Sequence, residues 1–434
     1  MNKRILKLAI PSILANITVP LVGMVDIAIS GRLGNVAAIG AIAIGSMLFD
    51  LLYWNFGFLR IGTGGLTAQA YGRRDLSDAM KYLVKGLATA FVSALFLIAI
   101  QWFFVEAAFM VIDCTPELET LSRQYFFNRI WAAPPTLALF TFKGWFIGMQ
   151  NTVSPMAVDI VVNVVNIAAS AILAITTPLG FAGIALGTVI AQYSGLFLSL
   201  FLLKRYYGKL IKYINLRRDI HLRGMKKFYV INANLFVRSL FFMLIYCGFT
   251  SLMAHYGETE LAVSSIIMKL FMLYSYILDG FAYAGEALSG RYIGANDGKS
   301  LREAVRKLFM WTGVLAAVST VIYWWGGDWM IRMMTSEQSV IEGSGPYYIW
   351  LVLMPSLSCL AFMWDGLYIG ATASVAIRNC MGWACLGFYI AYFALKGPLG
   401  PQALYIAYFV HLIIRAFYMT LFSKKNIFSM VGNV

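Results

Sequence analysis

Between Lys7 and Arg32 the chain carries one charge, Asp26, in a stretch otherwise rich in aliphatic and small residues. Apolar blocks of this kind recur from one end of the sequence to the other, and they constrain the fold more than any motif does. A helix crossing hydrocarbon needs roughly 20 apolar residues. The blocks predict twelve spanning helices, at about 5–30, 37–65, 79–104, 121–148, 154–177, 181–203, 225–253, 260–288, 303–325, 345–370, 375–395 and 401–422. The connections are short except near 204–224 and 326–344, and no soluble domain fits between them. Only 12% of residues are charged, where a soluble domain has about a quarter. The start, "MNKRILKLAIPS", has the look of a signal peptide, but the apolar run passes Ala15 with no small-residue cleavage site. It therefore reads as a retained first span.

The net charge of +14 raises the question of nucleic acid. The basic residues, however, fall between apolar blocks and not along one face, as in cytoplasmic loops beside anionic lipid. One side collects Lys3, Arg4, Lys7, Arg73, Arg74, Lys81, Lys85, the run Lys204 to Lys227, Lys299, Arg302, Arg306, Lys307, Lys424 and Lys425. The other has chiefly Arg32, Arg123, Arg332 and Lys396, beside the acids Asp113, Glu117, Glu119, Glu258, Glu260, Glu337 and Glu342. This asymmetry predicts a multi-pass protein of the cytoplasmic membrane with both termini and the central linker cytoplasmic.

The sequence also repeats. "GNVAAIGAIAIGSMLFDLLYWNFGFLRIG" (34–62) aligns with "GETELAVSSIIMKLFMLYSYILDGFAYAG" (257–285). Gly72 and Asp75 then match Gly294 and Asp297, 125–148 matches 347–370, and Leu179-Gly180 matches Leu399-Gly400. Six spans per copy predict two parallel lobes related by an axis along the membrane normal, with a cavity between them. The expected organisation is an N-terminal lobe over 1–203, a basic linker over 204–224 and a C-terminal lobe over 225–434.

A charge in the bilayer costs about 2.5–3.5 kcal/mol on insertion scales, so each one faces a partner, the protein interior or water. Asp26 has no basic residue one turn away in its own block. A dry site favours the neutral acid, so Asp26 is expected to take up and release a proton near neutral pH. The alternative is a structural carboxylate paired with a base on another helix, such as Arg32 or Lys143. Pro11 lies roughly 22 Å earlier along a straight helix and would allow bending there. In span five Asp159, Asn163, Asn166 and Ser170 share one face, and in span six Thr188 and Gln192 lie one turn apart. Together they line a polar pocket or bond helix to helix. Span eight has a stripe of Lys269, Met272, Tyr276, Asp279, Tyr283 and Glu286, and span two has Ser46, Phe49, Tyr53, Phe56, Arg60 and Thr63. Aromatic walls with carboxylates suit organic cations. The charges alternatively form a neutralising network of Lys269, Asp279 or Glu286 with Asp365, Arg238, His411 or Arg415.

No phosphate-binding loop, HExxH, GxSxG or CxxC occurs. Neither enzymatic activity, a cofactor, a zinc site nor a disulfide framework is expected.

Three stretches carry a resemblance: "FGFLRIGTGGLTAQAYGRRD" (56–75), "LDGFAYAGEALSGRYIGA" (278–295) and "WDGLYIGATASVAIRNCM" (364–381). The chain resembles the multidrug and toxic compound extrusion (MATE) family, most nearly its DinF-type branch. The resemblance implies an all-α membrane protein of twelve helices in two six-helix lobes around a V-shaped cavity. It implies a monomeric antiporter exporting organic cations or amphipathic compounds against proton or sodium entry. Pro11 and Asp26 match the family's bending proline and coupling carboxylate; Asn166 and Thr188 match positions that complete a first-lobe cation site, with sodium at Asp26, Asn166 and Thr188 as one occupant. Ser170 departs from the pattern, since the fullest sites have an acid there, and this favours a proton. Asn163 belongs to the same expected coupling set. The substrate cavity is expected at Tyr53, Arg60, Tyr276, Asp279, Tyr283, Glu286 and Asp365. Asp365 coincides with a second-lobe acid of another branch, while Arg238 stands where that branch has a glutamate. A flippase for lipid-linked saccharide or another lipid is the alternative function.

Overall fold

A computed structural model describes residues 1–32, 36–112, 114–214 and 222–432. Among these it is helical throughout its length, in twelve rods that follow the predicted spans. They are α1 (Asn2–Arg32), α2 (Val36–Trp54, a 3₁₀ turn Asn55–Gly57, then Phe58–Gly72) and α3 (Leu76–Phe109). Next come α4 (Pro116–Arg129, a 3₁₀ turn Ile130–Ala132, then Ala133–Gly148), α5 (Val153–Thr176) and α6 (Phe181–Tyr207). The second half has α7 (Leu222–Ala254), α8 (Glu258–Gly294), α9 (Gly298–Met334), α10 (Gln338–Gly343, a 3₁₀ turn Gly345–Tyr347, then Tyr348–Gly370), α11 (Ser374–Leu399) and α12 (Gln402–Asn426). Among the described residues nine of these stretches are long and apolar enough by themselves to cross a membrane. The rods α1, α4 and α11 are not in that set. In α4 the pair Pro134-Pro135 and Lys143 dilute the apolar part, and α11 opens with Arg378 and Asn379.

The helix ends follow from short polar signals, and these repeat between the halves. Arg74 and Asn296 take the left-handed conformation (φ 61° and 53°). Asp75 and Asp297 follow as N-caps of α3 and α9, accepting the N–H of Asp78 and of Ser300 at 2.9 Å. Gln150 and Thr372 (φ 63° and 54°) leave α4 and α10 in the same way, and Gly180 and Gly400 (φ 51° and 53°) precede α6 and α12. Close helix approach repeats too. A Cβ on Gly144 would strike the backbone of Arg60, and one on Gly366 would strike that of Ala282. These glycines let α4 lie on α2 and α10 lie on α8 at backbone distance.

By internal packing the chain forms two compact units. One holds Leu14–Ala70 and Asp75–Tyr229; its main packings are α5 on α6, α3 on α4, α2 on α4 and α4 on α6. The other holds Met1–Ile13, Tyr71–Arg74 and Val230–Val434, with α11 on α12, α8 on α10, α9 on α10 and α10 on α12. Each unit thus repeats one packing scheme. The start of α1 belongs to the second unit, where Arg4 donates to the Tyr292 hydroxyl at 3.1 Å. The core of that unit is aromatic, with Phe271 and Tyr274 of α8 beside Tyr405 and Tyr408 of α12. Residues 215–221 of the expected basic linker lie outside the described residues, as does Asp113.

Candidate functional site

The polar stripe of α5 is taken up one residue at a time by three neighbouring helices. Asp159 pairs with Lys143 of α4 at 2.7 Å. The Asn163 amide donates to the Thr18 hydroxyl of α1 at 2.6 Å. The Asn166 amide donates to the Thr188 hydroxyl of α6 at 2.9 Å, and Ser170 donates to the Ile184 carbonyl of α6 at 3.2 Å. The stripe is therefore a helix–helix seam, tight because small residues line it. A Cβ on Gly187 would meet the Ser170 backbone, and one on Gly183 would meet Leu173 and Ala174. Ser170 is fully buried at this contact, which leaves no space for a longer acid.

Asp26 stands apart from that seam. It is 6% exposed, and neither carboxylate oxygen makes a hydrogen bond or ion pair among the described residues. Asn166 Oδ1 is likewise buried without a hydrogen bond. Of the two bases considered as partners for Asp26, Lys143 is committed to Asp159, and the Arg32 side chain lies outside the described residues. The cation whose field reaches Asp26 is Arg129 of α4, which sequence reasoning passed over; it acts on Asp50 and Tyr53 of α2 as well. Arg129 donates to the Tyr125 hydroxyl at 2.9 Å and to Ser46 at 3.5 Å. Its guanidinium lies 4.7 Å from the centre of the Phe49 ring. The first unit thus brings two carboxylates and a tyrosine within electrostatic reach of one guanidinium. The signal for it was available: Arg129 and Asp50 are charges inside apolar blocks, as Asp26 is.

The expected cavity residues fall in both units. Tyr53 and Arg60 lie on α2, half-buried; Tyr276, Asp279 and Tyr283 lie half-buried on α8, where Glu286 is fully buried. Asp365 is clamped. Arg238 of α7 donates to its Oδ2 at 2.8 Å, and Arg415 of α12 donates to the same oxygen. Arg415 is 2% exposed and stacks on Phe362 at 5.4 Å. Beside it His411 is fully buried, with both ring nitrogens free of hydrogen bonds among the described residues. Of the neutralising network considered from sequence, the part that joins Asp365 to Arg238 and Arg415 is present, and Lys269 is not paired into it among the described residues. Among the described residues no three His, Cys, Asp or Glu side chains cluster as a metal site.

Comparison with known proteins adds the context. A family model described as MatE matches residues 11–172 and 235–393. The chain is 32% identical to the DNA damage-inducible protein F of Escherichia coli over 95% of its own length and 90% of that protein's. It is 24% identical to a probable multidrug resistance protein NorM of Idiomarina loihiensis, over 78% of this chain and 74% of that one. Among solved structures, the MATE transporter VcmN of Vibrio cholerae in the bent form superposes with a TM-score of 0.87 at 16% identity, covering 99% of this chain and 97% of that one.

Proposed function

The chain belongs to the MatE family of multidrug and toxic compound efflux transporters, and from there we propose that it is a proton-coupled antiporter exporting organic cations or amphipathic compounds by alternating access. The observation that carries this reading is the buried Asp26 carboxylate, with no hydrogen bond or ion pair among the described residues. An ionised acid in an apolar span needs a compensating positive charge. Three can supply it: a proton, a cationic substrate, or the Arg129 guanidinium already in the same unit. Protonation of Asp26 removes its attraction for a bound cation, which then leaves; loss of the proton restores it. Two ligands that cannot share one carboxylate exchange by competition, and this is what an antiporter requires. Pro11 would let α1 bend during the cycle, since a mid-helix proline removes one backbone hydrogen bond.

Sodium would draw on oxygens of the kind Asp26, Asn166 Oδ1 and Thr188 Oγ1 offer. One turn beyond Asn166 stands the Ser170 hydroxyl and not a second carboxylate, and the missing acid on that face favours the proton. The test is transport of a fluorescent organic cation in proteoliposomes, with pH and sodium gradients imposed separately. A pH gradient alone should drive uptake. Asp26→Asn should insert normally and lose transport, and a fully active Asp26→Asn protein would remove Asp26 from the mechanism.

A further inference from the structure

Lys269 lies about 16 Å along α8 from Glu258, inside the apolar span. Its ammonium has no hydrogen bond, ion pair or ring contact among the described residues. The acids considered as its partners are out of reach or engaged. Asp279 and Glu286 sit on the same helix about 15 Å and 26 Å further on, and Asp365 is held by Arg238 and Arg415. Lys269 does line a cavity of about 180 Å³ between α7 and α8. Phe249 and Met268 supply an apolar wall; Thr250, Ser264 and Ser265 supply hydroxyls. Those hydroxyls donate to backbone carbonyls of their own helices, Ser265 to Leu261 at 2.8 Å and Thr250 to Tyr246 at 3.2 Å, so each turns lone pairs outward. The only formal charge on the lining is positive.

Lys269, Ser265 and Thr250 are exposed, so the cavity is open on one side and its ammonium can be reached by a ligand from outside. A drug-sized ligand fills roughly 300–1,000 Å³, so this cavity suits one end of a molecule. We propose that it is a subsite for the anionic head group, carboxylate or phosphate, of an amphipathic molecule. The head pairs with Lys269, water bridges it to the hydroxyls, and the first carbons of the tail lie on Phe249 and Met268. The subsite goes beyond the coupling reading and does not use Asp26.

The test is equilibrium binding of laurate to the full-length chain in phosphatidylcholine nanodiscs, without any ion gradient, so failure of the coupling reading leaves it standing. Lys269→Gln should weaken laurate binding about fivefold, the loss of one ion pair at a site open on one side, and Lys269→Arg should restore it. Neutral dodecanol should bind wild type and Lys269→Gln alike. An unshifted thermal midpoint for Lys269→Gln reports a folded protein, and removal of an unpaired charge from a span gives no reason for unfolding. A second arm separates the sources of the head group. If phosphatidylglycerol in the nanodisc competes with laurate in wild type but not in Lys269→Gln, a membrane phospholipid occupies the subsite. If it does not compete, the occupant is an amphipathic anion from outside the bilayer. Equal laurate affinity in wild type and Lys269→Gln would overturn the proposal, as would Lys269→Arg binding no better than Lys269→Gln.

Discussion

Asp365 shares one oxygen between Arg238 and Arg415, while Asp26, also buried, has no such bond. Two acids that look alike in the sequence are thus placed for different work. Removing one partner from a buried ion pair costs about 3–5 kcal/mol, because the other charge is stranded. Asp365→Asn strands the buried Arg415 and should lower the thermal midpoint in detergent sharply. Arg238→Gln should cost much less, since Arg238 is the more exposed partner and Arg415 still holds the acid. Asp26 and Arg129 call for a double-mutant cycle. If Arg129 acts through Asp26, Arg129→Gln alone should weaken equilibrium binding of the organic cation, and adding it to Asp26→Asn should weaken that binding no further. Additive losses would separate the two.

At the scale of the helix, capping and small-residue contacts decide where rods begin and how near they come. Asp297 caps α9, and Ser300, through its side chain and backbone, holds the Asp297 carboxyl below the usual carboxylate range. A lowered value means that this stabilisation is complete above the unfolded value near 3.9 and fades as pH falls through the lower folded one. Asp297→Ala should cost about 1 kcal/mol near neutral pH. Asp297→Asn, which still caps, should show a smaller drop of thermal midpoint on acidification than wild type. Both are read by thermal unfolding across pH. The polar face of α5 was legible as a face from its spacing. That it bonds in turn to α4, α1 and α6 was not, because periodicity along one helix does not say which helix lies opposite.

For the molecule as a whole, length and apolarity suffice for a multi-pass membrane protein, and the repeat foretells the same turn conformations in both halves. Orientation rests on the distribution of Lys and Arg, which insertion reads loop by loop. Reporter fusions after Lys425 and in the 208–214 segment should report cytoplasmic, and fusions at 114–116 should report the opposite side. A reversed pattern would invert the direction assigned to proton entry and export.

By itself the sequence determined that the chain lives in hydrocarbon, because no other solvent tolerates such apolar blocks, and that it is built twice from one plan. It also marked Asp26, because a charge in such a block is conspicuous. Only the tertiary structure decided the partnerships: Lys143 with Asp159, Arg129 toward Asp26 and Asp50, Asp365 between two arginines, Lys269 facing a cavity. The reason is physical. Hydropathy is a property of each segment and survives reading along a line, whereas electrostatic pairing depends on distances between helices far apart in sequence, set by how closely glycines such as Gly144 and Gly187 allow them to pack.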